Sequence, residues 1–508
     1  MERSSGVLMH ITSLPGKYGI GTMGKEAERF ADFCRQAGLR YWQVLPIGPV
    51  GSSNSPYQSD SVFAGNPDFI DPEQLMEQGL LTQKECDRLD WGKGERVCFE
   101  KAAAAKQTIL RLAFARAKQM PIWREVELFF QQESEWLTDY SLYRAIREEK
   151  NGAAWQTWEA GLRSRDTKIL EEYRRRLQQE TEYHSFVQYL FDTQWQHLKE
   201  YCNRQGVLLI GDIPIYVAQD SCDTWVNPQL FEYDEQFQPI RVAGCPPDYF
   251  SKTGQLWGNP LYRWDRMEQE NFAWWKKRFA ALEKRFDLTR IDHFRGFAGY
   301  YAVDAAEKTA ENGRWETGPG RKLFGCIKKE LPNLKLIAED LGVITEDVEQ
   351  LREWCGFPGM KILQFAFSSR EESSYLPHRC PQKAVIYTGT HDNNTCLGWA
   401  EELNEQDWST VKAYTGAKRK KEIAWEMIRT AWTSPCELAI APMQDFLSLP
   451  AKARMNTPST VGGNWEWRMK KNAASPQLAR QIAQLNRAAW RFPKSKRKIK
   501  AVIKTKKQ

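Results

Sequence analysis

Eight short apolar runs recur along the chain, and the stretches between most of them carry helical periodicity. The runs are GVLMHI (6 to 11), YWQVLP (41 to 46), GVLLIGDIPI (206 to 215), LTRIDH (288 to 293), KLIAED (335 to 340), GMKILQF (359 to 365), AVIYTGTHD (384 to 392) and LAIAPMQDFL (438 to 447). Most are β-branched or Leu-rich with apolar residues on both faces, as in strands buried within a parallel sheet. Parallel neighbours need a crossover, and patterns such as KEAERFADFCRQAG (25 to 38), with Gly38 at a C-cap position, supply one. Eight such units predict an α/β chain folded as a (β/α)₈ TIM barrel, with its active site at the C-terminal ends of the strands.

Two connections are too long for ordinary barrel loops, so insertions are expected after strands 2 and 3. Residues 68 to 205 are rich in Glu, Lys, Arg, Gln and Trp at helical spacing, as in KECDRLDWGKGERVCFEKAAAAKQTILRLAFARAK, and read as a mainly helical insertion. Residues 216 to 270 are Pro-, Gly- and aromatic-rich and read as irregular. The expected organisation is then 1–67 for strands 1 and 2 with a substrate loop, 68–205 for the helical insertion, 206–490 for strands 3 to 8, and 491–508 for a basic tail.

Three of the runs end on carboxylates, Asp292 in RIDHFRG, Glu339 in IAEDLG and Asp392 in THDNN. One strand-ending acid is most often a helix cap. Three delivered to one face of a barrel suggest a glycosidic-bond site, where one carboxylate attacks and another serves as acid and then base. Arg290 precedes Asp292 by two residues, so both point to one face of a strand and the guanidinium can keep that carboxylate ionised. Glu339 needs a raised pKa for acid work, which its apolar run and a nearby carboxylate could provide. His391 adjoins Asp392, where a neutral imidazole could hydrogen-bond a sugar hydroxyl. Asp340 and Asp445 read as structural, Cys396 as packing, and His10 and His293 as pocket-lining or core histidines in about equal measure.

The net charge of +7 is misleading: residues 491–508 hold nine Lys and Arg and no acid, so the remainder carries −2. Nucleic-acid binding by the body is therefore not expected. No apolar stretch approaches the ~20 residues of a membrane span, and eleven cysteines without zinc or CxxC spacing read as reduced thiols. A cytoplasmic monomer is expected. Twenty-one tryptophans are many for 508 residues, and aromatic planes stack on the C–H faces of pyranose rings. Most must be core, but Trp257 in GQLWGNP and Tyr57 in SPYQS have little local apolar company.

Together with the carboxylate strings, SSGVLMHITSLPGKYGIG (4 to 21), SPYQSDSVFAGNP (55 to 67), GDIPIYVAQDSCDTW (211 to 225), PPDYFSKTGQLWGNPLY (246 to 262) and NTPSTVGGNWEWR (456 to 468) resemble the 4-alpha-glucanotransferases, the amylomaltases of glycoside hydrolase family 77 in the alpha-amylase clan. The departures are small: Asp60 follows SPYQS, Ser459 stands where the family often has Gly, and the tail is Lys-rich. The resemblance implies Asp292 as nucleophile, Glu339 as acid/base and Asp392 as transition-state stabiliser. It also implies a cleft along Tyr57, Asp212, Trp257, Phe365 and Asn464, together with Arg290 and His391. The implied reaction passes a segment of an α-1,4-glucan, through a glycosyl ester, to the 4-hydroxyl of glucose or another maltooligosaccharide. A hydrolase on the same scaffold and a non-catalytic maltodextrin-binding protein are the competing readings. An intact acid/base pair argues against the second of these. No acidic loop of metal-binding spacing is present, so neither an obligatory ion nor an organic cofactor is expected.

Overall fold

The computed structural model describes residues 2–51, 53–247, 251–342 and 344–493 of the 508. Its core is an eight-stranded parallel sheet of β1 (Ser4–Leu8), β2 (Tyr41–Gln43), β3 (Leu208–Pro214), β4 (Leu288–Asp292), β5 (Leu336–Ala338), β6 (Gly359–Ile362), β7 (Ala384–Tyr387) and β8 (Leu438–Pro442). The order around the sheet is β6-β7-β8-β1-β2-β3-β4-β5, with every pairing parallel. The remaining seam between β5 and β6 is bridged by Ala338 N donating to Pro358 O at 3.0 Å. The expected (β/α)₈ barrel is what the chain forms, and each of the eight apolar runs supplies one strand.

The strands are shorter than the runs, because each run also contains the turn that leaves the C-terminal end of its strand. KLIAED, for example, is strand only over Leu336–Ala338, and Glu339 begins the loop. Helix Lys25–Ala37 ends as its sequence predicts, with Gly38 in the left-handed region at φ 68°. Gly6 allows β1 and β2 to approach closely; a Cβ there would lie 2.8 Å from Tyr41 O.

Residues 68–205 contain eight α-helices, the longest being Phe99–Ala117, Ser134–Glu149 and Gln178–Arg204. The last leads into β3 and buries Trp195 edge-on against Phe286 at 5.5 Å. The long helical reading of KECDRLDWGKGERVCFE needs correction. Helix Gln83–Asp87 ends there and the next begins at Phe99, because Gly92 (φ 76°) and Gly94 (φ 104°) turn the chain between them.

Residues 216–270 are not simply irregular. They contribute strands Arg241–Cys245 and Gln255–Pro260 to a four-stranded antiparallel sheet completed by Gly299–Asp304 and Arg314–Thr317 from the connection after β4. The first two pair with each other through a register shift, and Gly244, Gly258 and Pro260 within them break the alternation that would have announced them. Arg491, counted with the basic tail, belongs to the body. It is fully buried and its guanidinium donates to the carbonyls of Ser4, Trp432 and Cys436 at 2.8 to 2.9 Å. The remaining tail cations, from Lys494 onward, lie outside the described residues.

Candidate active site

Strand register builds the floor of the site. Across β3 and β4, Asp212 pairs with Arg290 and Pro214 with Asp292, so Arg290 lies between two carboxylates. Arg290 Nη1 donates to both Asp212 oxygens at 2.7 Å, and Nη2 donates to Asp292 Oδ1 at 2.7 Å. Burial opposes the guanidinium charge, but Asp212 and Asp292, with Tyr57 and Glu339 behind them, more than offset it and hold its pKa above the ordinary arginine value. A permanent cation thus supports the Asp292 carboxylate from below while its side chain remains 30% exposed to the cleft.

Glu339, just past β5, receives His293 N–H on Oε2 at 2.6 Å and Leu341 N–H on Oε1 at 3.1 Å. His293 reaches that geometry with φ 53°, a left-handed conformation that costs a non-glycine residue about 1 kcal/mol or more. Burial, and then the neighbouring Asp292 charge, push the Glu339 carboxyl up to about 7. A carboxylic acid with that pKa can hold a proton near neutrality and give it up during reaction.

Asp392 is tuned in the opposite direction. Asn456 Nδ2 donates to its Oδ1 at 2.6 Å, and His391 Nε2 lies 3.3 Å from Oδ2. Burial alone would raise its pKa, but the His391 charge and hydrogen bond, helped by Asn456, bring it down to about 2. Reciprocally, burial disfavours the charged His391 ring, and Asp392 outweighs burial, so the imidazole pKa rises above its ordinary value. The neutral imidazole expected at His391 is therefore replaced by a ring biased toward the cation. Its other face stacks on Tyr57, with ring centroids 5.0 Å apart and planes 15° from parallel.

Asp292, Glu339, Asp392, Arg290, His391 and Tyr57 are brought together. Tyr57 donates to Asp212 Oδ2 at 2.9 Å, so Asp212 lies beneath the site: it is fully buried, committed to Arg290 and Tyr57, and raised to about 6 chiefly by burial. Its expected place along the cleft wall is corrected to a supporting one. Trp257 stands edge-on to His293 at 4.7 Å, and it sits on strand Gln255–Pro260 rather than in a loop. Phe365 is 46% exposed at the rim after β6. His10 is a core histidine: Nδ1 accepts Leu45 N–H at 3.2 Å, and burial lowers its pKa to about 3.

Asn464 is not brought to the carboxylates. It is spent within its own loop, accepting Thr457 N–H at 2.9 Å and donating to Thr460. The contacts from NTPSTVGGNWEWR come instead from Asn456 and from Trp465, whose ring lies 5.8 Å from His391 and 6.0 Å from Tyr57. Both stood in that string, but nothing local distinguished one asparagine from the other. Asp340 and Asp445 are structural. Asp340 accepts Met360 N–H at 2.6 Å and pairs with Arg352, and Asp445 is buried against Thr388 and Cys396. Cys396 donates to Asp445, and burial raises its thiol pKa, so it is no nucleophile.

Ser459, where the family often has glycine, is exposed and sits at φ 62°. Relief of left-handed strain is worth about 1–2 kcal/mol, and the extra unfolded-state freedom of glycine takes back about 0.4–1 kcal/mol. Ser459→Gly is thus expected to leave stability unchanged or raise it by about 1 kcal/mol in denaturant titrations. A loss of stability would show that the serine side chain earns its strained backbone.

A parallel barrel with an acid held near pKa 7 beside an arginine-supported carboxylate, both at C-terminal strand ends, defines an enzyme of glycosidic bonds. The signature of the 4-alpha-glucanotransferases matches residues 9–474. The chain belongs to that family. It is 46% identical over 487 residues to a 4-alpha-glucanotransferase of Streptococcus pneumoniae serotype 4, covering 95% of this chain and 96% of that protein. It is 42% identical to one of Thermus thermophilus, covering 97% and 100%. Among solved structures, the amylomaltase from Streptococcus agalactiae in complex with acarbose superposes with a TM-score of 0.95 at 38% identity, covering 97% of this chain and all of that one. Among the described residues no helix is long and apolar enough to cross a membrane.

Proposed function

We infer that the protein is a retaining 4-alpha-glucanotransferase acting on maltooligosaccharides and other α-1,4-glucans. Asp292 attacks the anomeric carbon of the donor while Glu339 protonates the departing 4-oxygen, leaving a glycosyl ester on Asp292 and a free reducing-end fragment. Glu339, now a carboxylate, takes the proton from the 4-hydroxyl of an incoming glucose or glucan as that oxygen displaces Asp292. The proton returns to Glu339, and the α-linkage is re-formed. Asp392, held ionised by His391 and Asn456, binds ring hydroxyls and favours the electron-poor transition state. The observation that carries this reading is the convergence at the C-terminal strand ends of Asp292 on Arg290 at 2.7 Å, Asp392 on Asn456 at 2.6 Å and the buried Glu339 carboxyl, whose pKa burial and the Asp292 charge raise.

Thin-layer chromatography of products from pure maltotriose tests it. A ladder of longer oligomers with glucose is expected; glucose and maltose alone would mean that water takes the ester. We take the enzyme to act in the cytoplasm as a monomer. Light scattering should then give a mass near 59.0 kDa.

Transfer must outcompete water at ~55 M, which requires an acceptor held in line, where effective molarities of ~10⁵ M are attainable. We assign that task to the aromatic surfaces of Tyr57 and Trp257, and Tyr57 also touches His391 and Asp212. Tyr57→Ala and Trp257→Ala are each expected to lower the ratio of transferred chains to free reducing ends, measured from maltotriose at equal conversion. An unchanged ratio in both, with normal circular dichroism, would place acceptor capture elsewhere in the cleft.

A further inference from the structure

We propose that Asp60, clamped by Arg144 and Arg147 of the helical insertion, is a positioning residue that sets the place of Tyr57 and so the capture of acceptor. This rests on the role given to Tyr57 above. The structure surrounds Asp60 with two cations. Its side chain is 5% exposed, Oδ1 accepts Arg147 Nη1 at 2.9 Å, and Oδ2 accepts Arg144 Nη1. Residues 144 and 147 are three apart on helix Ser134–Glu149, so both guanidinium groups leave the same face.

The cluster extends further. Arg147 Nη2 reaches Asp220 Oδ2 at 2.9 Å, and Asp220 Oδ1 accepts Tyr143 Oη at 3.0 Å and Trp155 N–H at 3.1 Å. The Asp60 backbone is tied in as well, with its carbonyl accepting Cys222 N–H at 2.8 Å and its amide donating to Pro49 O at 3.3 Å. Three segments therefore meet at one carboxylate: the loop after β2 that carries Tyr57, the helical insertion, and the loop after β3. Tyr57 itself is held by its hydroxyl on Asp212 and by its ring against His391 and Trp465, while its loop is held through Asp60.

The space behind the loop gives the clamp a purpose. A cavity of about 410 Å³ is lined by Asp60, Arg144, Arg147, Tyr140 and the loop residues Val50 and Gly51. With the ion pairs cut, the loop has room to sink toward it. Removing the buried carboxylate would leave Arg144 without this partner and Arg147 with Asp220 alone, so the three-segment arrangement depends on Asp60. The insertion thus acts at a distance from chemistry, through the placement of one aromatic ring.

The test is a double-mutant cycle between Asp60→Asn and Tyr57→Ala on maltotriose, reading KM, kcat and the transfer-to-hydrolysis ratio. Asp60→Asn is expected to raise KM and lower the ratio by about fivefold each, with kcat within about twofold, and to have no further effect once Tyr57 is alanine. Asp60→Glu, which keeps the charge, should recover most of the ratio. Arg144→Gln, at the more exposed end of the cluster, is read in the same cycle in case Asp60→Asn fails to fold. Additive losses in the Tyr57→Ala background, or parental kinetics in folded Asp60→Asn and Arg144→Gln, would overturn the clamp while leaving the role of Tyr57 intact. A silent Tyr57→Ala would overturn that role and the clamp with it.

Discussion

Asp292→Asn is expected to abolish glucan transfer, with a loss of about 10⁴-fold or more in kcat, because a covalent nucleophile acts as a unit with its acid/base partner. The amide is nearly isosteric, and its oxygen can still accept the 2.7 Å hydrogen bond from Arg290. Arg290 also keeps both contacts to Asp212. The fold and the binding of maltooligosaccharide should therefore persist, measured by circular dichroism and titration calorimetry. Loss of activity with retained binding separates a missing nucleophile from a damaged site. Activity within tenfold of the parent would move the nucleophile elsewhere.

Glu339→Gln should discriminate between leaving groups. Maltotriose has a poor one and needs protonation, so its turnover should fall by about 10²–10⁴-fold. A donor with an activated aryl group needs little protonation, so its first step survives and the glycosyl ester on Asp292 accumulates. Azide, which needs no base, should then release it as a glycosyl azide. The parent is active with Glu339 protonated, so its kcat/KM should decline as pH rises through about 7, and this limb should vanish in the variant. Stability should move with the same group. Its folded pKa lies above the unfolded value, so in the parent stability is lost as pH rises from the unfolded pKa through about 7. Glutamine removes that loss, and the variant should melt higher than the parent at pH 8 but not at pH 4. Equal losses on both donors with no azide rescue would remove Glu339 from the acid/base role.

Positions whose chemistry depends on local order were legible in the chain. The eight apolar runs became the eight strands because burial on both faces demands such composition. The Arg290 and Asp292 pair followed from the period of two along a strand, and it is a 2.7 Å contact in the structure. Gly38 at φ 68° closes helix Lys25–Ala37 for a reason written in its own residue type. The structural reading of Asp340 likewise followed from strand alternation.

What failed had no local signature. Asn464 and Asn456 are eight residues apart in one polar string, and only the path of the loop decides that Asn456 reaches Asp392. The irregular reading of 216–270 missed two strands that pair with each other through a register shift, because Gly244, Gly258 and Pro260 within them hide any alternation. His391 was expected neutral because the sequence shows Asp392 beside it but not the 3.3 Å geometry that biases the ring toward its charged form. Asp60 stood out as an unusual residue, yet its partners lie 84 and 87 positions away on an inserted helix. By itself, then, the sequence determined the eight barrel strands and the carboxylates at their ends, since each depends on composition and spacing within a few residues. Tertiary structure alone decided the directions in which Glu339, Asp392 and His391 are tuned, the placing of Asp212 beneath Arg290 and the clamp on the Tyr57 loop. Those depend on burial and on charges a few ångströms apart in space, supplied by segments that are far apart along the chain.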